Sequence, residues 1–124
     1  MTHSPSILVV DDSKVSRMMT MAFVKERYPD AVIHEAPDGA AALKAMDDHH
    51  PELVILDMNM PQMSGLEVAE QAIRLHPETR LALLTANVQE ATRTKAEALG
   101  VQFFRKPINE GVINNILDTL GVTP

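Results

Sequence analysis

The chain is 124 residues long, a length that suits one domain. Its formal net charge is -6, and no run of basic residues is longer than two, which argues against binding to a nucleic-acid backbone. The absence of cysteine excludes disulfides, thiolate metal sites and thiol catalysis. We therefore expect a small acidic domain whose site chemistry depends on oxygen and nitrogen groups.

The chain shows no internal boundary, repeat or low-complexity segment, so we expect a single domain over residues 1–124 with its core at about 6–120. The first residues, Met1–Pro5, lack the charged region of a signal peptide. The apolar runs are far shorter than the roughly 20 residues that span a bilayer. We expect a soluble, cytoplasmic protein with no membrane insertion, and a frayed tail at residues 121–124.

Short apolar runs alternate five times with amphipathic segments, which predicts an α/β fold with a parallel sheet. The first strand is predicted at Ser6–Asp11. Apolar residues then recur at helical spacing, which predicts a first helix with one buried face. The predicted buried residues of this helix are Val15, Met18, Met19, Ala22 and Phe23.

The second strand is predicted at Ala31–Glu35 and near a sheet edge, because it carries His34 and Glu35. Asp38 is a predicted N-cap for the second helix. The residues of this helix that should face inward are Ala42, Leu43 and Met46.

The third strand, Leu53–Asp57, is apolar on both faces, as a central parallel strand must be. Ser64 followed by Glu67 predicts a capping box at the start of the third helix. The predicted buried face of that helix is Leu66, Ala69, Ala72 and Ile73.

The last part of the chain repeats the pattern twice. We predict a fourth strand at Arg80–Thr85, a fourth helix at Gln89–Leu99 closed by Gly100, and a fifth strand at Gln102–Phe104. The predicted buried stripe of the last helix is Val112, Ile113, Ile116, Leu117 and Leu120.

Polar residues stand at the carboxyl ends of four of these strands. Asp11 and Asp12 follow the first strand, Asp57 ends the third, Thr85 ends the fourth, and Lys106 follows the fifth. Ligands of open parallel sheets bind outside the carboxyl ends of the strands. We therefore expect these side chains to converge on one pocket.

This arrangement, with the segment Asp57–Gly65 (DMNMPQMSG), resembles the receiver domain of two-component response regulators. The resemblance covers nearly the whole chain, and it fits either a stand-alone chemotaxis-type regulator or a receiver from a longer protein. It implies a flavodoxin-like, doubly wound (βα)5 fold with a five-stranded parallel sheet in the order 2-1-3-4-5.

The carboxylates need a cation. Two of them about 4 Å apart repel by roughly 4 kcal/mol at an effective dielectric near 20. Oxygen ligands without thiols favour Mg²⁺, which bridges carboxylates to phosphate oxygens. The resemblance implies Asp12 and Asp57 as direct ligands, the backbone carbonyl of Asn59 as a third, and Asp11 acting through water.

Asp57 is the predicted phosphoacceptor, because a carboxylate can attack phosphorus when nearby cations neutralise the transferring oxygens. Mg²⁺ and Lys106 would supply those cations. The resemblance implies a cis Lys106–Pro107 bond, a phosphoryl-binding hydroxyl at Thr85 and an aromatic switch at Phe103. Without that context, Thr85 reads as a strand residue and Phe103 as a core aromatic.

Two carboxamides are predicted to tune the lifetime of the phosphorylated state. Asn59 lies two residues beyond Asp57, and Asn87 lies two residues beyond Thr85. A carboxamide can orient an attacking water but cannot act as a general base at neutral pH. We expect a phosphorylated state of intermediate lifetime.

The histidines and methionines carry weaker signals. The histidines show no metal-ligand spacing, and we interpret all of them as surface residues: His3, His34, His49, His50 and His76. Met18, Met19 and Met46 are predicted core residues. Met58, Met60 and Met63 flank the pocket and could contact a kinase.

The leading functional hypothesis is a signalling switch that takes a phosphoryl group from a histidine kinase or phosphotransfer protein onto Asp57. A downstream protein would then bind the fourth helix, fifth strand and fifth helix. The alternatives are a phosphorylation-independent interaction domain and, as a different class, a flavodoxin-like or phosphatase enzyme. The missing GxGxxG and P-loop motifs disfavour nucleotide enzymes.

Overall fold

The computed structural model describes residues 4–86 and 89–119, in which five strands alternate with five helices. The strands are β1 (Ser6–Val10), β2 (Val32–Ala36), β3 (Leu53–Asp57), β4 (Arg80–Thr85) and β5 (Gln102–Arg105). The helices are α1 (Lys14–Arg27), α2 (Gly39–His49), α3 (Gly65–Leu75), α4 (Glu90–Leu99) and α5 (Glu110–Thr119). All neighbouring strands are parallel, in the order β2-β1-β3-β4-β5, so the predicted fold and strand order are confirmed.

The sheet separates two apolar cores, because alternate strand residues point to opposite faces. On one face α1 and α5 cover the sheet, with Val24, Ile113 and Ile116 packing among strand residues such as Ile7 and Ile55. On the other face α2, α3 and α4 pack on strand residues that include Leu8, Val54 and Leu83. All five residues of β3 are buried, as predicted for the central strand.

The helix ends follow the predicted local signals. The Asp38 side chain accepts a hydrogen bond from the Ala41 amide at the start of α2. Ser64 and Glu67 form the predicted capping box of α3. Gly100 closes α4 with a φ of 77°, a left-handed conformation that glycine adopts without steric cost. These residues therefore set where the helices begin and end.

Strand and helix limits differ from the predictions by one residue in several places. β1 ends at Val10 and β2 runs one residue later than predicted, to Ala36. β5 extends to Arg105 and the helical part of α4 begins at Glu90. Leu120, predicted for the last helix, lies outside the described residues.

The predicted buried face of α1 is wrong except at Phe23, which is half-buried and packs against the core. Val15, Met18 and Met19 are 67%, 56% and 41% exposed. The buried residues of the helix are Thr20 and Val24. The helix carries apolar residues on more than one face, so periodicity alone could not select the stripe that packs on the sheet.

Chain direction places a crevice at the carboxyl end of the sheet. From the neighbouring strands β1 and β3 the chain leaves toward opposite faces, into α1 and α3. Such a reversal of strand order opens a space above the strand ends. Within residues 4–86 and 89–119, no helix is long and apolar enough to cross a membrane.

Candidate functional site

Three carboxylates lie at the crevice between β1 and β3. One oxygen each of Asp11, Asp12 and Asp57 falls within 4.8 Å of the others. Asp11 and Asp57 are buried, whereas Asp12 is exposed to solvent. The predicted convergence of these side chains is therefore what the fold produces.

The turn after β1 is held by hydrogen bonds that fix Asp11. Its amide donates to the Ala36 carbonyl at the end of β2 (3.2 Å). Its Oδ1 accepts from the Ser13 amide (2.9 Å), and Ser13 in turn caps α1 through the Ser16 amide. The chain thus turns from strand into helix with the Asp11 side chain kept inside the crevice.

Asp57 is 3% exposed, and Lys106 provides its counter-charge. The Lys106 Nζ lies 2.9 Å from the Asp57 Oδ1, which also accepts a bond from the Asn59 amide at 3.3 Å. The Lys106–Pro107 bond is cis, as the family resemblance implied. Lys106 is therefore directed into the crevice and is not a free surface side chain.

The neighbours of Asp11 show the electrostatic cost of the cluster. Burial is the main cause that raises the pKa of Asp11 above its ordinary value, and the Asp57 charge raises it further. The Ser13 amide and the Lys106 ammonium oppose this shift in pKa. The protein's own groups therefore stabilise the charge of ionised Asp11 only in part. A bound cation would supply the additional positive charge.

The chemistry of the donor set fits Mg²⁺. The cluster offers carboxylate oxygens only, with one solvent-exposed member where water can complete the coordination shell. The predicted ligand set is direct contact by Asp12 and Asp57, the Asn59 backbone carbonyl, and Asp11 through water. All four roles stay predictions.

Thr85 and Phe103 lie on the β4–β5 side of the crevice. Thr85 ends β4, is 1% exposed, and accepts the Lys106 amide with its carbonyl at 2.9 Å. Phe103 is half-buried on β5 and packs against the core under α4. Thr85 therefore lies on the strand next to β3, Phe103 lies on the edge strand β5, and their switching roles stay predictions.

The two carboxamides have different outcomes. Asn59 is exposed beside Asp57, and its backbone amide donates a hydrogen bond to the Asp57 carboxylate. Asn87 lies outside the described residues, so its placement near the phosphoryl group stays a prediction.

The methionine interpretation is right in part. Met46 is fully buried in the core under α2, as predicted, whereas Met18 and Met19 are exposed. The three methionines after β3 are half-buried against the same core: Met58, Met60 and Met63. Their predicted contact with a kinase remains untested.

The histidines are paired, which their spacing in sequence did not reveal. His34 on β2 stacks on His49 at the end of α2, with ring centroids 3.7 Å apart. His50 meets His76 edge to face, and His76 Nε2 lies 2.8 Å from the Asp47 carboxylate. His49 and His50 are exposed, and His34 and His76 are half-buried. His3 lies outside the described residues.

A cavity of about 520 Å³ lies away from the carboxylates. Its lining includes Pro51, Glu52, His76, Thr79 and Arg80, which lie before or at the start of β3 and β4, at the amino end of the sheet. Catalytic or ligand groups of parallel sheets gather at the opposite end. We therefore place the functional site at the carboxylate crevice.

With this fold and site established, comparison with known proteins shows the class of protein. The family model described as "Response regulator receiver domain" matches residues 7–118. The chain belongs to this family, whose members act in two-component signal transduction, with phosphoaspartate and Mg²⁺ as typical features.

Two curated relatives carry the same description, "Protein-glutamate methylesterase/protein-glutamine glutaminase". The protein from Photorhabdus laumondii is 32% identical over 113 residues, covering 87% of this chain and 32% of the relative. The one from Nitrosomonas europaea is 34% identical over 104 residues, covering 82% and 29%. The chain thus spans about a third of the length of the curated relatives it matches.

Solved structures agree with the fold. The response regulator domain of Thermotoga maritima CheB superposes with a TM-score of 0.82 at 26% identity, covering 98% of this chain and 100% of that one. A CheY-like receiver protein from Methanospirillum hungatei gives 0.86 at 21% identity, covering 96% and 95%. The second likeness shows the fold alone.

One charged residue beside the site, Arg17, was not predicted from the sequence. Arg17 in α1 is half-buried, and its guanidinium contacts the Asp11 carbonyl and the Glu35 carboxylate. It lies six residues after Asp11 and two after Val15, in a stretch that periodicity assigned to an apolar helix face. A cation on a helix that follows an acidic pair was the available signal.

Proposed function

We propose that this chain is a phosphoryl-accepting signalling switch in which Asp57 takes a phosphoryl group from a partner histidine kinase or phosphotransfer protein. The observation that carries the proposal is the buried Asp57 carboxylate, which faces Asp11 and Asp12 and contacts the Lys106 ammonium at 2.9 Å. A structural aspartate needs one counter-charge. A cluster of three carboxylates with one ammonium instead suits transient acceptance of a cation and a phosphoryl group.

The reaction is a transfer between two partners. An Asp57 oxygen forms a bond to phosphorus, while the bond from phosphorus to the partner's histidine nitrogen breaks and its electron pair returns to the ring. Lys106 stabilises negative charge on the transferring oxygens, and Mg²⁺, held by Asp12 and Asp57, would supply the remaining neutralisation. The chain supplies the acceptor and the electrostatics, and it is not itself an enzyme in this proposal, although it assists its own phosphorylation and dephosphorylation.

The switch requires several contacts acting together. Moving a population from 1:99 to 99:1 takes about 5.5 kcal/mol. One hydrogen bond to a charged group contributes only about 1.5–3 kcal/mol, so Thr85 alone is insufficient. We propose that Thr85 and Lys106 bind the phosphoryl oxygens, while Phe103 transmits the change to the output surface, which we define as α4, β5 and α5. A downstream protein would bind there.

The exposed face of α1 supports docking of the phosphoryl donor. Val15, Met18 and Met19 are large apolar residues on the first turns of a helix that starts directly after Asp12. An apolar patch at the rim of the reactive crevice can hold a partner while leaving the acceptor accessible. We propose that the donor contacts this patch and the half-buried methionines that follow β3, Met58, Met60 and Met63.

The activity named for the curated relatives is not part of the proposal, because the chain matches only about a third of their length. The alternative, a phosphorylation-independent interaction domain, would not require the buried Asp57–Lys106 pair. We propose a cytoplasmic location, where a kinase partner and Mg²⁺ are both present.

The test is labelling with acetyl phosphate in the presence and absence of Mg²⁺. We expect one labile phosphoryl group on the wild type only with Mg²⁺, and none on Asp57→Asn. Asp48→Asn is the matched control, because it removes an exposed carboxylate whose partner is Lys44 on the same helix. Equal labelling of Asp57→Asn and the wild type would overturn the assignment of Asp57.

A further inference from the structure

Arg17 connects the turn that carries the site to the end of a neighbouring strand. Its Nη1 donates to the Asp11 carbonyl at 2.7 Å, and its Nε lies 2.8 Å from the Glu35 Oε1. The Arg17 side chain is only 13% exposed, while that of Glu35 is 49% exposed. The guanidinium therefore lies mostly inside the protein behind the acidic turn.

The bond to Asp11 acts on the peptide unit between the first two carboxylates. The Asp11 carbonyl belongs to the peptide that joins Asp11 to Asp12, so holding its orientation restrains the backbone between the two side chains. The Asp11 amide is already held by the Ala36 carbonyl, and the Asp11 Oδ1 by the Ser13 amide. Arg17 supplies the restraint on the remaining backbone polar atom of Asp11, its carbonyl oxygen.

A guanidinium suits this position better than an ammonium would. It presents several N–H donors in a planar fork, so it can reach the carbonyl and Glu35 at once, and an ammonium has no fixed fork. A cation next to a metal site also has a cost, because it repels the metal. Glu35 offsets that cost by neutralising the guanidinium.

We propose that Arg17 is a positioning residue, which sets the Asp11–Asp12 turn in the geometry that binds Mg²⁺. This inference rests on the proposed function. Arg17 has no direct part in phosphoryl transfer. Its loss should therefore change the Mg²⁺ requirement of Asp57 phosphorylation more than the rate at saturating Mg²⁺.

The experiment measures the rate of phosphorylation by acetyl phosphate as a function of Mg²⁺ concentration. The main variant is Arg17→Lys, which keeps the positive charge and removes the fork, so repulsion of the metal stays the same. The matched control is Arg27→Lys at the other end of α1, where a guanidinium likewise joins a backbone carbonyl, that of Asn114, to the carboxylate of Asp118. Thermal unfolding with and without Mg²⁺ reports metal binding independently of phosphorylation, and the unfolding without Mg²⁺ reports general stability for both variants.

We expect the Mg²⁺ concentration for half-maximal rate to rise about tenfold in Arg17→Lys, corresponding to about 1.4 kcal/mol. The rate at saturating Mg²⁺ should change less than threefold, and Arg27→Lys should keep the wild-type Mg²⁺ requirement even if it melts earlier. A requirement within twofold of wild type in Arg17→Lys, or an equal loss of rate at every Mg²⁺ concentration, would overturn the inference. A wild type that takes up no phosphoryl group would instead refute the proposed function.

Discussion

At the scale of single residues, the site is a set of charges that the protein leaves incompletely balanced. Asp11 and Asp57 are buried beside Asp12, with Lys106 as the ammonium in contact with Asp57. Burial raises the pKa of Asp11, so its ionised form lowers the stability of the folded state at neutral pH. A cation that binds only the folded protein should reverse this loss.

Mg²⁺ should therefore stabilise the protein. At about ten times the dissociation constant, binding contributes about 1.4 kcal/mol, which raises the melting temperature of a domain this size by roughly 4 °C. Scanning calorimetry with and without about 10 mM Mg²⁺ measures the shift for an ion bound in the sub-millimolar to millimolar range. Asp12→Asn should lose most of it and Asp48→Asn should keep it. An unchanged wild-type melting temperature would count against the metal site.

The side chain of Asn59 should influence how long the phosphoryl group survives. It is exposed next to Asp57, where an attacking water must approach. Replacing Asn59 by Arg adds bulk and charge in that path, and we expect hydrolysis to slow severalfold while labelling by a small donor changes less.

The measurement for Asn59 is the decay of Asp57 phosphate at fixed Mg²⁺. Gln62→Arg, in the same exposed loop, serves as the control for added charge and should decay at the wild-type rate. Equal decay rates in wild type and Asn59→Arg would mean that the Asn59 side chain does not face the phosphoryl group. The same assay on Asn87→Lys tests the second carboxamide, for which we also expect slower decay.

At the scale of elements, the start of α3 is pressed against the strand that carries Asp57. A Cβ at Gly65 would lie 2.4 Å from the Asp57 carbonyl oxygen and 2.9 Å from the Met58 Cα, distances at which the backbone must move. The absence of a side chain at Gly65 thus lets α3 begin directly beside the site. This contact links helix packing to the position of the phosphoacceptor.

We expect Gly65→Ala to destabilise the protein by about 1–3 kcal/mol, the usual range for overpacking, and to weaken Mg²⁺ binding. Gly111→Ala in α5 is the control. A Cβ added at Gly111 would have the Asn109 side chain as its nearest neighbour, at 3.4 Å, so it has room. Alanine there should stabilise the helix by up to about 1 kcal/mol. Chemical denaturation measures both, and a Gly65→Ala protein as stable as the wild type would contradict the close approach.

The stability contributed by His34 on β2, which stacks on His49 at the end of α2, should depend on pH. Burial, followed by the nearby His49, lowers the pKa of His34 below its ordinary value of 6.5. Because the unfolded chain binds this proton more tightly, the stability due to neutral His34 is present above pH 6.5 and is lost as pH falls toward the lowered pKa.

The variant His34→Gln lacks this titration. The stability difference between wild type and His34→Gln, measured by urea unfolding, should therefore shift against the wild type between about pH 7.5 and pH 5.5, the window around the reference histidine pKa. The histidines that do not contact His34 are common to both proteins, so they cancel in the comparison. A difference that stays constant, or moves in favour of the wild type, would show that His34 is not held in its neutral form.

At the scale of the whole molecule, most of the fold followed from local patterns. The apolar run Leu53–Asp57 predicted a central strand, and the Ser64–Glu67 pair predicted a capped helix. Each of these patterns is typical of one local structure. The buried face of α1 could not be predicted, because both Val24 and the exposed Met18 lie on apolar stripes. Packing against the sheet determines which of the stripes is buried.

The site residues likewise include some whose positions followed from local patterns and one whose contacts did not. Strand ends predicted that Asp11, Asp57 and Lys106 converge, because parallel strands finish at one edge of the sheet. The partners of Arg17 depend on the rotation of α1 and on the neighbouring β2, neither of which is encoded in local spacing. Long-range pairs of this kind are what sequence patterns leave open.

A change at Asp57 should alter a surface on the far side of β4. The direct test is backbone amide NMR of the Mg²⁺-loaded protein before and after addition of beryllium fluoride, a non-hydrolysing mimic of the phosphoryl group. We predict shifted resonances both around Asp57 and across the output surface, with Phe103 among them, and no response in Asp57→Asn. Shifts confined to the residues around Asp57, or an equal response in Asp57→Asn, would contradict a phosphorylation-controlled switch.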